Sequence, residues 1–550
     1  MLPILAMFCR RKVFDALIRG IDVRELQKET AARRGYLNIA LRALASAGWL
    51  QGFSAPSRPA DLEAPLAVRL TPVGRRAAEL LGGLGTRLDR VEASLALSQV
   101  MPRYLWSEEL APEGVASLPE MAQWCRSRCG LPTASGRNDG PVVDRLAAML
   151  EGPLAAPLAV FLARDELVQT RGSGRNAEVD DRVVFPSSFG PSSRRRFEQE
   201  VFPCLVALGW MNPRTERLTN DGRLAVLYGS AYAVTLSYLP LLRRVEELTF
   251  RNTSFERLFP TDAAGHETHV DRRLNIWGSG GAHALYFSAV DRIVLELFRR
   301  PDYPRAICDT GCGDGTFLRH LATLLRDELG WDFFTRPVAF IGSDLNLASR
   351  QRTREALAAE GIPHAYVIDE AIDIAAPDRL DAAIRQLDLF IEGDDGTSRL
   401  LAAADALHTN SMLVHNRTYQ PSLRPPPSST TDGCFVDPSG HALVGTALQA
   451  NLVDFISRWR PFVQRYGWLF IELHTLPSSV VAQDPDRTPT IAYDLTHGFS
   501  NQYTVELTEL ITAAQTAGLE LGPPQFQAHF PSAELPRISV TYLRGAGRSD

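Results

Sequence analysis

Asp309-Thr310-Gly311-Cys312-Gly313-Asp314-Gly315 decides how this chain reads. Ala306-Ile307-Cys308 just before it is apolar and reads as a short buried strand. Thr316 to Leu329 just after it carries apolar residues at helical spacing. A Gly-rich string between a strand and a helix predicts a ligand loop, because glycine admits positive φ and a close approach of ligand to backbone. The spacing is G-x-G-x-G, whereas dinucleotide folds use G-x-G-x-x-G. The helix start Gly315-Thr316 carries no lysine, and a ligand without phosphate needs none.

Strand and helix alternate outward from that loop. Val338 to Ile341 reads as a strand ending in Gly342-Ser343-Asp344, and Leu347 to Glu360 as a helix. His364 to Ile368 is a strand ending at Asp369, and Asp378 to Leu387 a helix. Leu443 to Tyr466 (helix), Trp468 to Glu472 (strand), Val505 to Ala517 (helix) and Arg537 to Tyr542 (strand) continue the alternation. This predicts an α/β fold with a doubly wound, mainly parallel sheet, Rossmann-like, whose ligands sit at the carboxyl ends of the strands. Acids at three successive strand ends select S-adenosylmethionine (SAM). Asp309 suits its ammonium, Asp344 its ribose hydroxyls, and Asp369 or Asp373 its adenine amino group. The expected cofactor set is Asp309, Gly311, Gly313, Asp314, Gly315, Asp344 and Asp369. A SAM-dependent methyltransferase domain is expected over 271–550.

The N-terminal half reads as mostly helical. Helical stretches to Gly48-Trp49, a hairpin, then Leu70-Thr71-Pro72-Val73-Gly74-Arg75 opening another helix form a winged-helix pattern over 1–95. Gly209-Trp210 followed by Leu218-Thr219-Asn220-Asp221-Gly222-Arg223 repeats it within a helical lid over 96–270. The stretch Tyr36 to Gly48 would be the recognition helix, but Arg42 is the one base on its surface. Phosphate recognition needs several cations, and the net charge is −6, so no nucleic-acid partner is expected. A lid or dimerisation role, hence a homodimer, fits this region better. The seven scattered cysteines show no zinc spacing and suit a reducing cytoplasm. The apolar start, followed by Arg10-Arg11-Lys12, has the wrong order for a signal peptide, and no membrane association is expected.

Four polar segments belong on the ligand side: Leu407 to Arg417, Glu472-Leu473-His474, Asp494 to Gln502 as a polar loop, and Leu274 to His283. Their histidines support two readings. They can bind a divalent metal that polarises a carbonyl and stabilises an enolate, or His415 or His474 can be a general base. Each histidine by itself also suits an ordinary hydrogen-bonded core position.

Taken in order, Asn38 to Leu50, Leu274 to His283, Asp309 to Leu318, His415-Asn416-Arg417, Ile471 to Thr475, Tyr493 to Tyr503 and Phe530 to Leu535 resemble the methyltransferases of apratoxin-type polyketide loading modules. The resemblance implies a class I core with a helical, winged-helix-containing lid. It implies methylation of carbon in acyl chains, some malonyl or methylmalonyl, held on an acyl carrier protein. It also implies a mononuclear iron or manganese, with His474 and Gln502 as ligands and His415 and His497 nearby. His415, His474 and His497 are therefore the catalytic candidates. Val414 departs from the pattern, standing where an acid is expected. The leading expectation is SAM-dependent methylation of an activated α-carbon of an acyl or dicarbonyl substrate in secondary metabolism. The alternatives are an O- or N-methyltransferase of a free small molecule, or a SAM-binding winged-helix regulator.

Overall fold

The computed structural model of the chain describes residues 1–106, 117–132, 140–164, 167–171, 178–187, 189–262, 266–281, 283–392, 396–425 and 427–547. The N-terminal segment forms helices, a three-stranded antiparallel wing of 21–22, 67–70 and 50–51, and helix Pro72–Leu84. Its longest early helix, α1 (Arg34–Ser46), is where a DNA reader would place its recognition helix. Here every residue from Gly35 to Ser46 is buried. Tyr36 stacks on Phe499 at 5.3 Å, and Leu495 and Phe499 join the apolar core of the N-terminal helices. Arg42, expected on the surface, lies inside. It donates to Asp432 O at 2.5 Å, Asp494 Oδ2 at 2.5 Å, Thr475 Oγ1 at 3.0 Å and Leu476 O at 2.7 Å. The apolar helix is thus a wall of the C-terminal domain, closed to a groove.

The internal repeat extends to individual hydrogen bonds. Thr71 Oγ1 donates to Gly48 O at 2.9 Å and accepts from Gly74 N at 3.0 Å. Thr219 Oγ1 does the same with Gly209 O at 2.7 Å and Gly222 N at 3.2 Å. A Cβ on Gly74 would lie 2.1 Å from Trp49 O, and one on Gly222 2.2 Å from Trp210 O. Thr caps the helix while Gly lets the preceding carbonyl press against it, so Leu-Thr-x-x-Gly recurs. The second copy's hairpin is reduced to a single bridge, Met211 with Leu218.

Between the copies runs α2 (Gly140–Arg164). Among the described residues it is the one helix long and apolar enough to cross a membrane by length and composition. Most of its apolar residues from Val142 to Leu162 are buried, Val142 to Leu150 in the core of the N-terminal helices and Leu154, Leu158, Phe161 and Leu162 in the lid's own. Helices α3 (Gly229–Ser237) and α4 (Arg272–Gly280) pack closely, since a Cβ on Gly278 would lie 2.9 Å from Ala233 Cβ. Helix α5 (His283–Arg299) then leads into the sheet.

The sheet has eight strands: β1 (Ala306–Thr310), β2 (Ala339–Ser343), β3 (Ala365–Val367), β4 (Ala406–Ser411), β5 (Trp468–Leu473), β6 (Leu519–Leu521), β7 (Gln527–Pro531) and β8 (Pro536–Gly545). Its order is β6-β8-β5-β4-β1-β2-β3, with β7 on β8. Strands β1 to β5 are parallel; β6, β7 and β8 pair antiparallel. Crossover helices Thr316–Leu329, Leu347–Ala359, Pro377–Arg385, Gly445–Val463 and Leu507–Thr516 cover both faces. Covered faces explain why β1, β2 and β5 are buried along their whole length. The order reverses at β1, between β2 and β4, so a ligand crevice opens at the end of β1. One expectation changes here. Residues 494–499 form the end of a helix, Thr490–Phe499, where a loop was expected. Leu495 and Phe499, one turn apart, both enter the core.

Candidate functional site

The loop after β1 takes positive φ at Gly311 (78°), Gly313 (59°) and Gly315 (81°). A side chain at Gly311 would run into Leu413 Cδ2, at 2.7 Å. Gly311 N and Cys312 N donate to Ser343 O at 2.7 and 3.0 Å. Gly313 N donates to Asp344 Oδ2 at 3.1 Å, so the acid ending β2 cradles the loop from below. Asp309 is 2% exposed and accepts one hydrogen bond, from Thr409 Oγ1 at 3.0 Å. Burial pushes its carboxyl up to about 7, with the nearby Asp344 adding to the rise. Burial also raises Asp344, against the backbone N–H groups of Asn346 and Gly313. Among the described residues neither acid has a salt-bridge partner. Thr310 Oγ1 and Ser343 Oγ beside them are buried without hydrogen bonds. Two destabilised carboxylates, unused hydroxyls and a side-chain-free backbone fit a cationic, polar ligand such as SAM.

Two of the expected cofactor acids are used elsewhere. Asp314 Oδ1 accepts from Thr316 N at 3.1 Å and caps the following helix. The Asp369 side chain is 94% exposed and pairs with Arg354 at 2.6 Å. It belongs to the surface, because β3 ends at Val367 and the chain leaves the sheet before it.

A buried pair stands beside the loop. In β5, Trp468-Leu469-Phe470-Ile471-Glu472-Leu473, one acid interrupts an apolar strand. Glu472 Oε1 meets His415 Nδ1 in a short hydrogen bond and accepts from Leu473 N at 2.9 Å. Its Oε2 accepts from Val414 N at 2.7 Å. Burial pushes the carboxyl up, but His415 and the N–H groups outweigh it and hold it below the usual carboxylate range. An ionised Glu472 fixes the proton of His415 on Nδ1 and leaves Nε2 as a base. Val414, where an acid is expected, donates its backbone N–H to Glu472 and buries its side chain in the apolar core.

His497 lies against this pair, its ring 5.0 Å from that of His415. Its Nδ1 donates to Tyr493 O at 2.6 Å. Burial and His415 hold its pKa well below the usual value, so His497 is neutral with Nε2 as an acceptor. The lid closes over it. Tyr238 lies 5.9 Å from His497, accepts from Gln502 Nε2 at 2.9 Å, and touches His269 at 6.1 Å. The sequence singled out His415 and His497 but missed Glu472 as their partner, and missed Tyr238. A lone acid in an apolar strand was the available signal for Glu472; Tyr238 offered none, because it comes from a distant segment.

His474 is a correction. It is completely buried, with Nδ1 on Val505 O at 3.2 Å and Nε2 on Ser539 Oγ at 2.9 Å. The carbonyl can only accept, so Nδ1 carries the proton and Nε2 is taken by the serine hydroxyl. Burial pushes its pKa down to about 4. No lone pair remains for a metal or a substrate proton, so His474 is a core residue. Gln502 donates its Nε2 to Tyr238 and Ser500, which leaves its Oε1, the atom through which an amide ligates a metal. With His474 spent, the expected His474–Gln502 pair does not come together around an iron or manganese ion. Among the described residues no three His, Cys, Asp or Glu side chains group around one.

Residues 267–541, half of the 550, match the family model described as the AprA MT2-like domain. Residues 1–52 match the AprA N-terminal domain and 151–252 the AprA winged helix domain. No curated sequence matches the chain. Among solved structures, the CurJ carbon methyltransferase is 9% identical, covering 86% of this chain and 96% of that one at a TM-score of 0.32. The citrinin polyketide synthase CMeT domain is 11% identical, covering 78% and 96% at a TM-score of 0.33. An O-methyltransferase family 2 protein from Planctomyces limnophilus is 10% identical, covering 99% and 92% at a TM-score of 0.34. The family match, and none of these distant likenesses, carries the assignment.

Proposed function

We propose, from the premise that the chain belongs to the AprA MT2-like family of SAM-dependent methyltransferases, that it methylates the activated α-carbon of a malonyl-like or 1,3-dicarbonyl acyl substrate in polyketide biosynthesis. The observation that carries this reading is the buried His415–Glu472 pair at the end of β4, beside the cofactor loop. SAM, when bound, supplies an electrophilic methyl group on sulfonium. Asp309 and Asp344 would hold it, with the backbone at Gly311, Gly313 and Gly315. His415 Nε2 takes the α-proton, and the C–H electron pair stays on the substrate as an enolate. Glu472 remains ionised and stabilises the imidazolium that forms. His497, kept neutral, accepts a hydrogen bond without competing for the proton. Tyr238, on the lid, excludes water from the enolate.

An acyl carrier protein is the partner this reading implies. A free small molecule methylated on oxygen or nitrogen is the second reading, favoured by the lid residues Tyr238 and His269 that roof the histidines. We divide the chain accordingly at 1–95, 96–270 and 271–550. The test is turnover of labelled SAM against malonyl- and 3-oxoacyl-loaded carrier protein, with the methyl position read by mass fragmentation. Methyl on carbon supports the proposal. Label found only on oxygen or nitrogen of free substrates rejects it.

A further inference from the structure

Arg537 opens β8, which runs antiparallel to β5. Its backbone therefore stands at the sheet edge where β5 ends, and His474 N donates to Arg537 O at 2.8 Å. The residue is 3% exposed. Its Nη1 donates to His474 O in a short hydrogen bond. Its Nε and Nη2 are buried and have no hydrogen-bond partner. The nearest carboxylate does not serve them: Asp494 Oδ1 stands 4.0 Å from Nη1. The second oxygen of Asp494 is held by Arg42 at 2.5 Å and Thr475 at 3.0 Å. The guanidinium lies 5.2 Å over the ring of Tyr493, the residue whose carbonyl orients His497. So a buried cation beside the proposed site keeps one planar edge of two parallel N–H donors unused.

Two parallel donors match the two oxygens of a carboxylate, whereas a thioester or ketone carbonyl offers one oxygen. We propose that the Nε/Nη2 edge of Arg537 binds the free carboxylate of the acyl substrate and so selects carboxylated over neutral acyl groups. This rests on the acyl-carbon reading above and names a residue that would choose among its substrates.

The experiment compares malonyl- and acetoacetyl-pantetheine in wild type, Arg537→Met and Arg537→Lys. Loss of a charge-assisted pair predicts a KM for the malonyl thioester raised roughly 10- to 150-fold in Arg537→Met. Lysine, which keeps the charge but loses the two-donor edge, should recover only part of it. The KM for the acetoacetyl thioester and the Kd for SAM should stay within about threefold in both variants. Equal losses on both thioesters, or none on the malonyl one, overturn the proposal. A binding readout covers two further cases, a methionine variant that does not fold and a wild type that methylates neither thioester. Malonate ion should then raise the Tm of the wild type, and uncharged malonamide should not. The lysine variant should lose most of that rise. With wild-type turnover absent, the acyl reading fails by itself, and the malonate result alone decides the role of Arg537. No malonate effect overturns it.

Discussion

Replacing Asp309 with asparagine should make the empty enzyme more stable and the cofactor weaker. The folded carboxyl titrates near 7 against 3.8 when unperturbed. That gap of about 3 units corresponds to ~4 kcal/mol between the ionised and neutral forms. The sign follows from linkage. A carboxyl with a raised folded pKa costs nothing while it is protonated in both states. It costs progressively more as pH climbs from 3.8 through 7, where the unfolded chain ionises first. Asparagine keeps an oxygen for Thr409 Oγ1 and carries no charge, so it removes the cost. We expect Asp309→Asn to gain ~2–4 kcal/mol over wild type at pH 8 and ~1–2 kcal/mol at pH 5. SAM cancels the same penalty in the wild type by bringing an ammonium, so saturating SAM should close or reverse the gap. Urea denaturation at the two pH values, with and without SAM, reads the first effect; calorimetric titration reads the second as a Kd weakened at least about tenfold. A variant no more stable than wild type at pH 8, or one that binds SAM equally well, refutes the reasoning.

Glu472→Gln should cut kcat by about 10²–10⁴ while leaving the Kd of SAM within about threefold; stopped-flow methyl transfer retaining more than a tenth of the wild-type rate would remove His415–Glu472 from the mechanism. Acid should unfold the protein steeply between about pH 6 and 4. His269, His408 and His474 are pushed down to about 4 by burial, and His497 is also well lowered. A depressed folded pKa gives stability that is present above ~6.5 and lost as pH falls. Four such histidines offset by Asp309 give a limiting slope of ~4 kcal/mol per pH unit, and a flat stability profile across that window would contradict it. Gly74→Ala and Gly222→Ala should each cost about 1–3 kcal/mol, from strain against the Trp49 and Trp210 carbonyls. Chemical denaturation giving no loss in either would show that the repeated glycine is not needed for its contact.

The parallel half of the sheet was legible because β1, β2 and β5 are apolar throughout and alternate with amphipathic helices, so period and length distinguish strand from helix. Strands β6 and β7 were not read, and the stretch from Leu407, read as a polar segment, begins inside strand β4. Leu519–Leu521 is three residues long, and β7 is only partly buried, too weak a pattern to register. The cofactor loop was legible in one segment, since turn chemistry and acid are adjacent there. The proton-handling site was legible only in part, because it is assembled from β4, β5, the helix at 490–499 and the lid. A histidine quoted from sequence carries no record of whether its nitrogens are spent. His474 and His415 look equivalent in the chain, yet one faces Ser539 and the other Glu472.

Placement of two buried charges links fold to function. Asp309, on β1, is a buried anion without a cation; Arg537, on β8, is a buried cation with a free edge. Each would quench the other if they met, and β4 and β5 lie between them. With strands about 4.8 Å apart, three spacings hold them ~14 Å from each other across the sheet edge. His415 follows β4, inside that interval. A cofactor anchored by its ammonium at one end and a substrate anchored by its carboxylate at the other must bring methyl group and α-carbon together between the anchors, where the base stands. The buried winged helix serves the same arrangement. Arg42 holds Asp494 through its Oδ2, and the other oxygen of that carboxylate stands 4.0 Å from Arg537 Nη1, which is not on the Nε/Nη2 edge. The helix that elsewhere would read DNA here anchors the carboxylate that stands beside that arginine.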